Sequence, residues 1–355
     1  MSPDAADAVP AGLLSVSGSP ATVLVLGGTG FIGRPLLRRL VEAGHRTRVL
    51  VRGASARAAA LSGPGIEAMV GDFTNPARLD AALAGVHHVY HLARGAGNTW
   101  DDYQRNDVTP TRQLAERCAQ RDISLYYASS IAIYDGGRAG EVIDESTPAS
   151  PDALRMNAYA RAKAENERML AGLRRERGLN YVIFRPGIVI GAGGSLHPAG
   201  VGDWPSDTLC RPWGGGGQRL PFVLVEDCAD AMVRASQIEG LAGESFNLVG
   251  NAPLTGNEYL DALERVAGIT IRRAALPPWW QYTRSLAKWV ALTLLGKTSR
   301  ETPTYRYFTG LVRHATFSAE HARKRLGWSP NADVQVLIDQ GIHAAALAQR
   351  AGAAG

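Results

Sequence analysis

Three cysteines in 355 residues are few, odd in number and scattered, at Cys118, Cys210 and Cys228. They fit no zinc or iron–sulfur spacing and cannot all pair, so neither a metal centre nor a disulfide framework is expected. Reduced thiols of a cytoplasmic protein are the expectation instead. No apolar run reaches the roughly 20 residues that a bilayer span needs. The first twenty residues have no basic segment ahead of an apolar stretch and do not read as a signal peptide. Residues 1–20 read as a flexible lead and residues 351–355 as a frayed end. The formal charge is +5, yet no dense block of Lys and Arg stands out. Nucleic acid is therefore not an expected partner, whereas a phosphorylated small ligand would suit the charge. Internal repeats are missing as well. What remains is 45% hydrophobic, enough to bury a large core in a two-lobed globular chain.

The first half alternates short apolar, β-branched runs with helical stretches. Strands are expected at residues 22–26, 47–51, 67–70, 88–92, 125–128 and 181–184. Helices are expected at 31–43, 54–61 and 76–83, within 101–121, and across Tyr159. That alternation implies a doubly wound parallel sheet with helices on both faces. After Arg185 the regularity lapses into a stretch rich in Gly, Pro and Trp, 187–220. Two late strands, 222–225 and 246–249, then return to the sheet around a helix at 227–237. From 256 to about 347 the pattern is helical. The reading is a sheet domain over 21–186 plus 221–249. A smaller, discontinuous, mainly helical C-terminal substrate lobe takes 187–220 plus 250–350.

Gly27-Gly28-Thr29-Gly30-Phe31-Ile32-Gly33 follows the first strand and opens the first helix. In that context the spacing is the phosphate-binding turn of a Rossmann dinucleotide site. Gly27 permits the turn, Gly30 lets the backbone approach a pyrophosphate, and Gly33 lets the helix pack on the strand. The second strand ends Val51-Arg52-Gly53 with no acid to take a ribose 2′-hydroxyl. Arg52 would attract a 2′-phosphate, with Arg34 and Arg57 near in sequence, so NADP is favoured over NAD. Asp72 is placed either to meet the adenine or to cap the helix near Pro76.

Tyr159 and Lys163 stand one helical turn apart, on one helix face, downstream of a strand that ends in Ser129-Ser130. A tyrosine with an ordinary pKa near 10 is a poor base at neutral pH. A lysine ammonium close by favours the phenolate. Ser130 can hold a substrate oxygen while Tyr159 moves the proton that accompanies hydride transfer. Tyr-x-x-x-Lys alone is an ordinary surface pair; the serines and the glycine turn make it a candidate catalytic set.

With these motifs in place, the chain resembles the extended short-chain dehydrogenase/reductases, the NAD-dependent epimerase/dehydratase superfamily, from about residue 23 to 341. The motifs that carry the resemblance are Gly27–Gly33, Gly71-Asp72, His91-Leu92-Ala93, Asn106, Ser129-Ser130-Ile131-Ala132-Ile133-Tyr134, Tyr159–Lys163 and Arg185-Pro186-Gly187. The resemblance implies a Ser130, Tyr159, Lys163 site in which Asn106 supports the lysine through water and Pro186 lies beside the nicotinamide. It also implies cofactor contacts at Phe31, Ile32, Phe73, Leu92, Ala93, Arg94 and Ser129, besides Thr29 and the glycines. Leu26 and Arg94 depart from the family pattern, and Arg94 is expected to reach toward cofactor or substrate. The tail, Phe317-Ser318 with Leu326-Gly327-Trp328-Ser329-Pro330, resembles the 3β-hydroxysteroid dehydrogenase-like and dihydroflavonol-reductase-like branches.

The substrate lobe offers Trp204, Trp213 and Phe222, and a segment from Trp279 to Leu295 with Leu286, Trp289, Val290 and Leu294 on one helix face. That helix is expected to pack on the core, to cover an apolar substrate, or to make a peripheral membrane contact. The expectation is an NADP-dependent ketoreductase or alcohol dehydrogenase for an apolar, cyclic or acyclic small molecule, in a monomer or homodimer. The alternative is a nucleotide-sugar epimerase or dehydratase with retained NAD, for which Arg211 and Arg219 would grip the diphosphate. A non-catalytic dinucleotide sensor is the third reading.

Overall fold

Val23, Leu24, Val25 and Leu26 are buried in succession because both faces of their strand are covered. A computed structural model describes residues 20–53, 63–95, 97, 99–134, 142–296, 302–312 and 315–353. Its main sheet has seven strands: β1 (Thr22–Leu26), β2 (Arg46–Val51), β3 (Ile66–Val70), β4 (His88–His91), β5 (Ser124–Ala128), β6 (Tyr181–Pro186) and β7 (Ser245–Leu248). They lie in the order β7-β6-β5-β4-β1-β2-β3, every neighbouring pair parallel. The order reverses between β1 and β4, and open α/β sheets bind ligands in the crevice at such a point.

Side chains alternate across the sheet, and each face has its own core. Val23 and Val25 pack with Leu36, Leu37 and Leu40 of the helix Gly33–Glu42 and with Met232 of the helix Val225–Ser236. Leu24 and Leu26 pack on the other face with Leu79, Leu114 and Leu170. Truncating either leucine to alanine would cost about 2–5 kcal/mol, since both are wholly enclosed. All three cysteines are buried free thiols.

The expected strands of the first half stand within a residue or two of the observed ones. The expected helix 54–61 lies outside the described residues, as do nearly all of the lead and the last two residues. The terminal helix continues to Ala353. Only one of the two late strands joins the main sheet. Phe222–Leu224 instead pairs with Ile188–Ile190 in a separate two-stranded parallel sheet. The side chains of this strand divide between the two cores: Val223 packs in the sheet's cluster, whereas the Phe222 ring stacks on Tyr259 of the lobe with centroids 5.2 Å apart, and the preceding Pro221 cannot donate to a ladder.

Around Phe222 and Tyr259 the lobe has a third apolar cluster that includes Leu260, Leu263, Leu337 and Ile342. Its helix Gly256–Ala267 opens with a reciprocal cap between Thr255 and Glu258 and closes at left-handed Gly268. The segment Ala319–Trp328, assigned above to the substrate lobe, packs in the sheet's cluster instead. Trp328 is 1% exposed, and its indole donates to the Asp227 carbonyl oxygen at 2.9 Å.

Candidate active site

The glycine turn is shaped by close approaches. A Cβ on Gly27, whose φ is +88°, would lie 2.8 Å from the Ala93 nitrogen, at the end of β4. A Cβ on Gly33 would lie 2.2 Å from the Gly27 carbonyl oxygen. Both positions therefore exclude any larger residue, as a turn between strand and helix demands. No side chain caps the helix that begins at Gly33, and no acid stands in its first turn. That end suits an anion, so the turn fits the pyrophosphate of a dinucleotide. The Arg34 side chain donates to the Thr29 carbonyl oxygen at 3.3 Å and braces the turn. Leu92 and Ala93 are half-buried beside it, Phe31 and Ile32 likewise. Arg52 is exposed just past β2, and Arg57 lies outside the described residues.

Asp72 does not cap the helix Pro76–Ala82; Asn75 does, accepting from the Arg78 N–H. The Asp72 carboxylate instead accepts from the Thr74 N–H at 2.9 Å, closing a tight turn past β3. Phe73 lies edge-on to His91, centroids 5.2 Å apart, which puts its ring under β4.

The helix Ala158–Arg177 carries Tyr159 and Lys163. Asn157 fixes where it starts, its side chain accepting from the N–H groups of Tyr159 and Ala160. Burial raises the Tyr159 pKa; a hydrogen bond with Ser130 and the Arg94 guanidinium pull it back down. That guanidinium sits 5.7 Å from the Tyr159 ring centre. Lys163 is buried, and desolvation lowers its pKa while Asp107 opposes the shift. Its ammonium donates to the Ala128 carbonyl oxygen and stands 5.8 Å from the Tyr159 ring centre.

The two serines part company. Ser130 opens a 3₁₀ turn, accepts from the Ala132 N–H and lines the cleft between sheet and lobe. Ser129 turns the other way: its hydroxyl donates to Glu167 at 2.5 Å and its N–H to the Phe184 carbonyl oxygen. Neither donor of Ser129 is left for a cofactor. Asn106 sits in a π-helical segment, Gln104–Val108, that interrupts the expected helix 101–121. Its main chain is pressed against Gly95, where a Cβ would lie 2.6 Å from the Asn106 carbonyl oxygen. Pro186 ends β6, fully enclosed.

Behind these groups lies a polar network that sequence reasoning missed. Glu167 accepts from Ser129 and grips Arg185 through both oxygens, at 3.0 and 2.6 Å. Arg185 also donates to the Tyr134 hydroxyl, which donates to Asn247. Asp107 accepts from the Gly95 N–H at 2.9 Å and from the Asn166 amide at 2.7 Å, and Asn166 also donates to the Tyr127 hydroxyl. Glu167 lies four residues beyond Lys163 as Lys163 lies four beyond Tyr159. Extending that ladder by one turn would have found it.

A cleft of about 460 Å³ runs from Ser130 and Ile131 past Ile188 and Trp213 to Tyr307 and Leu311. Of the expected apolar contacts, Trp213 lines it. Trp204 packs edge-on to His197 and donates to the Pro198 carbonyl oxygen, and Phe222 belongs to the lobe's core. The far wall is the helix Tyr305–Val312, not the Trp279–Leu295 segment. Arg219 is exposed on the wall, whereas Arg211 lies elsewhere, paired with Asp203 at 3.0 Å. The two arginines do not converge on one anion site.

A parallel Rossmann sheet with a glycine turn at its switch point is the architecture of the extended short-chain dehydrogenase/reductases. The chain belongs to the NAD dependent epimerase/dehydratase family, which it matches over residues 23–248. It is 26% identical over 335 residues to the 2-alkyl-3-oxoalkanoate reductase of Stenotrophomonas maltophilia (strain K279a), covering 90% of this chain and 97% of the relative. It is 27% identical over 338 residues to the 4-hydroxy-2-methyl-3-oxo-4-farnesyl-3,4-dihydroquinoline-1-oxide ketoreductase of Stigmatella aurantiaca, covering 92% and 96%. Among solved structures, that of gox2253 superposes with a TM-score of 0.73 at 25% identity, over 94% of this chain and 98% of the other.

Proposed function

We propose that the chain is an NADP(H)-dependent ketoreductase or alcohol dehydrogenase acting on an apolar ketone–alcohol pair. The observation that carries the reading is Ser130 on the wall of a mainly apolar cleft, with Tyr159 beside it and Lys163 one turn further on. In reduction, the Ser130 hydroxyl holds the carbonyl oxygen by a hydrogen bond and Tyr159 gives that oxygen its phenolic proton. NADP(H) held at the glycine turn would supply the hydride for the carbonyl carbon, or take it up in the reverse direction. The raised pKa of Tyr159 suits an acid that must hold its proton at neutral pH. Once the proton has left, Arg94 and the Lys163 ammonium stabilise the phenolate. Lys163 would also hold the nicotinamide ribose, with Asn106 supporting it through water.

The glycine turn, Asp72 and Phe73 would hold the adenosine diphosphate half, and Arg52 would take the 2′-phosphate. Support for the phosphate lies in Arg52 standing exposed where an NAD site would place an acid. Support for an apolar substrate lies in Ile131, Ile188, Trp213 and Leu311 along the cleft, and in relatives named for reducing ketones that carry alkyl or farnesyl chains. The test is a panel of apolar ketones and nucleotide sugars with NADPH oxidation followed in parallel. Stoichiometric oxidation with a ketone is expected. Conversion of a nucleotide sugar without net cofactor consumption would overturn the reading.

A further inference from the structure

The helix Pro278–Leu294 is seventeen residues long and buries one of them, Gln281. Its inner side is aromatic. Tyr282 meets Tyr305 and Phe308 edge-on, at 5.8 and 6.3 Å, and so rests on the helix that walls the cleft. Leu286 and Trp289 are half-buried on that same side. The outer side is the unusual one. At about 100° per residue, Trp279, Val290, Thr283, Leu294, Ala287, Trp280 and Ala291 fall in one arc of roughly 120°. All seven are exposed: Trp279 by 56%, Trp280 by 49% and Leu294 by 83%. Arg284 and Lys288 follow at the edge of the arc, both exposed. An amphipathic helix normally turns its apolar face inward; this one shows a wide apolar face to solvent.

Along the chain around this helix the charge has one sign. From Arg265 to Arg300 the chain has no Asp or Glu, and it has Arg265, Arg272, Arg273, Arg284, Lys288, Lys297 and Arg300. Arg273 is spent on Asp261 and Glu264, and Arg284 lies 3.5 Å from Asp203; no ion pair engages Arg272 or Lys288 among the described residues. No helix among the described residues is long and apolar enough to cross a membrane. Two adjacent tryptophans at one end, an arc apolar but for Thr283 and a basic edge are the features of a helix that lies in a bilayer interface.

We infer that the outer face of Pro278–Leu294 docks on an anionic lipid surface. Trp279, Trp280, Val290 and Leu294 enter the headgroup boundary, while Lys288 and Arg284 meet lipid phosphates. The inference is independent of which substrate the cleft takes. It adds a consequence for an apolar one: the docked helix bears directly on the cleft wall, so the cleft is held close to the bilayer.

The test is flotation of the full chain with vesicles of phosphatidylcholine alone and of phosphatidylcholine mixed with phosphatidylglycerol. Binding to the anionic vesicles is expected, weakened by salt, with little binding to phosphatidylcholine. Trp279→Ser with Trp280→Ser should reduce vesicle affinity by roughly tenfold or more, and Lys288→Glu should weaken only the anionic binding. Leu347→Ser, on an exposed leucine of the terminal helix, should change nothing. Circular dichroism should show the variants folded. Failure to float with anionic vesicles overturns the inference, and so does unchanged flotation of the tryptophan variant. A dimer in sedimentation velocity that the tryptophan variant breaks, without flotation, overturns it in favour of a second copy of the chain.

Discussion

The Lys163 ammonium donates to the Ala128 carbonyl oxygen across 2.8 Å, tying the helix of Tyr159 to the last residue of β5. The same ammonium lies 4.7 Å from the Tyr127 ring centre, so it is held in place before any ligand arrives. Lys163→Ala should therefore lower both kcat and NADP(H) affinity, since position and charge go together. Tyr159→Phe should lower kcat by about 10²–10⁴ with cofactor affinity little changed, because the ring stays and only the proton is lost. Ser130→Ala should be milder than Tyr159→Phe. Steady-state rates and a fluorescence titration of cofactor separate these outcomes; near-full turnover by Tyr159→Phe would assign the proton to another group.

Arg94 offers a pH-dependent test. Burial raises the Tyr159 pKa, and Arg94 is one of the groups that lower it again. Arg94→Gln removes that lowering, so Tyr159 should titrate at higher pH. Alcohol oxidation needs the phenolate, so its rate should begin to rise only at a higher pH than in the wild type. Ketone reduction needs the phenol, so its neutral plateau should extend further into the alkaline range. Profiles of kcat/KM in both directions read the shift; superimposable profiles would count against a Tyr159 role.

Glu167 and Arg185 form an ion pair whose side chains are only 11% and 10% exposed. Removing one charge leaves the other enclosed without a counterion, which typically costs about 3–5 kcal/mol. Glu167→Gln retains some hydrogen bonding and should fall near the lower end of that range in urea unfolding. The double variant Glu167→Met with Arg185→Met should recover part of the loss. A change under about 0.5 kcal/mol would show that the pair is dispensable.

Arg52→Asp should erode or reverse the preference for NADP(H). A charge-assisted phosphate contact contributes about 1.5–3 kcal/mol, roughly tenfold to a hundredfold in affinity. Titration of both cofactors against wild type and variant checks this, and tighter NAD(H) binding by the wild type would discard the role given to Arg52.

What was legible in the sequence was local. The glycine turn, the helix pair Tyr159 and Lys163, and the strands around them are set by spacing within a few residues. Asp107 was hidden because its partners, Gly95 and Asn166, come from two other segments. The cleft wall at Tyr307 and Leu311 was hidden for a similar reason: chain order says nothing about which late helix lies opposite Ser130. Strand Phe222–Leu224 carried a sound β pattern, but a pattern does not name its partner: the strand pairs with Ile188–Ile190, with Phe222 stacked on Tyr259 of the lobe and Val223 in the sheet's cluster. The face read on the tryptophan-bearing helix is split: Leu286 and Trp289 are half-buried, whereas Val290 and Leu294 turn to solvent. Periodicity reports that a face exists, not which way it points.

Trp328 closes the sheet's hydrophobic cluster from a position far beyond β7 in the chain. At a synthesis rate of roughly 5–20 residues per second, the nascent sheet waits seconds for its last piece. Until then the helix Val225–Ser236, with Met232 and Ala229 on its inner side, has the slot of Trp328 open to solvent. The segment that carries Trp328 is thus a late keystone, and a chain halted before it would present a sheet with an unsealed, adhesive flank.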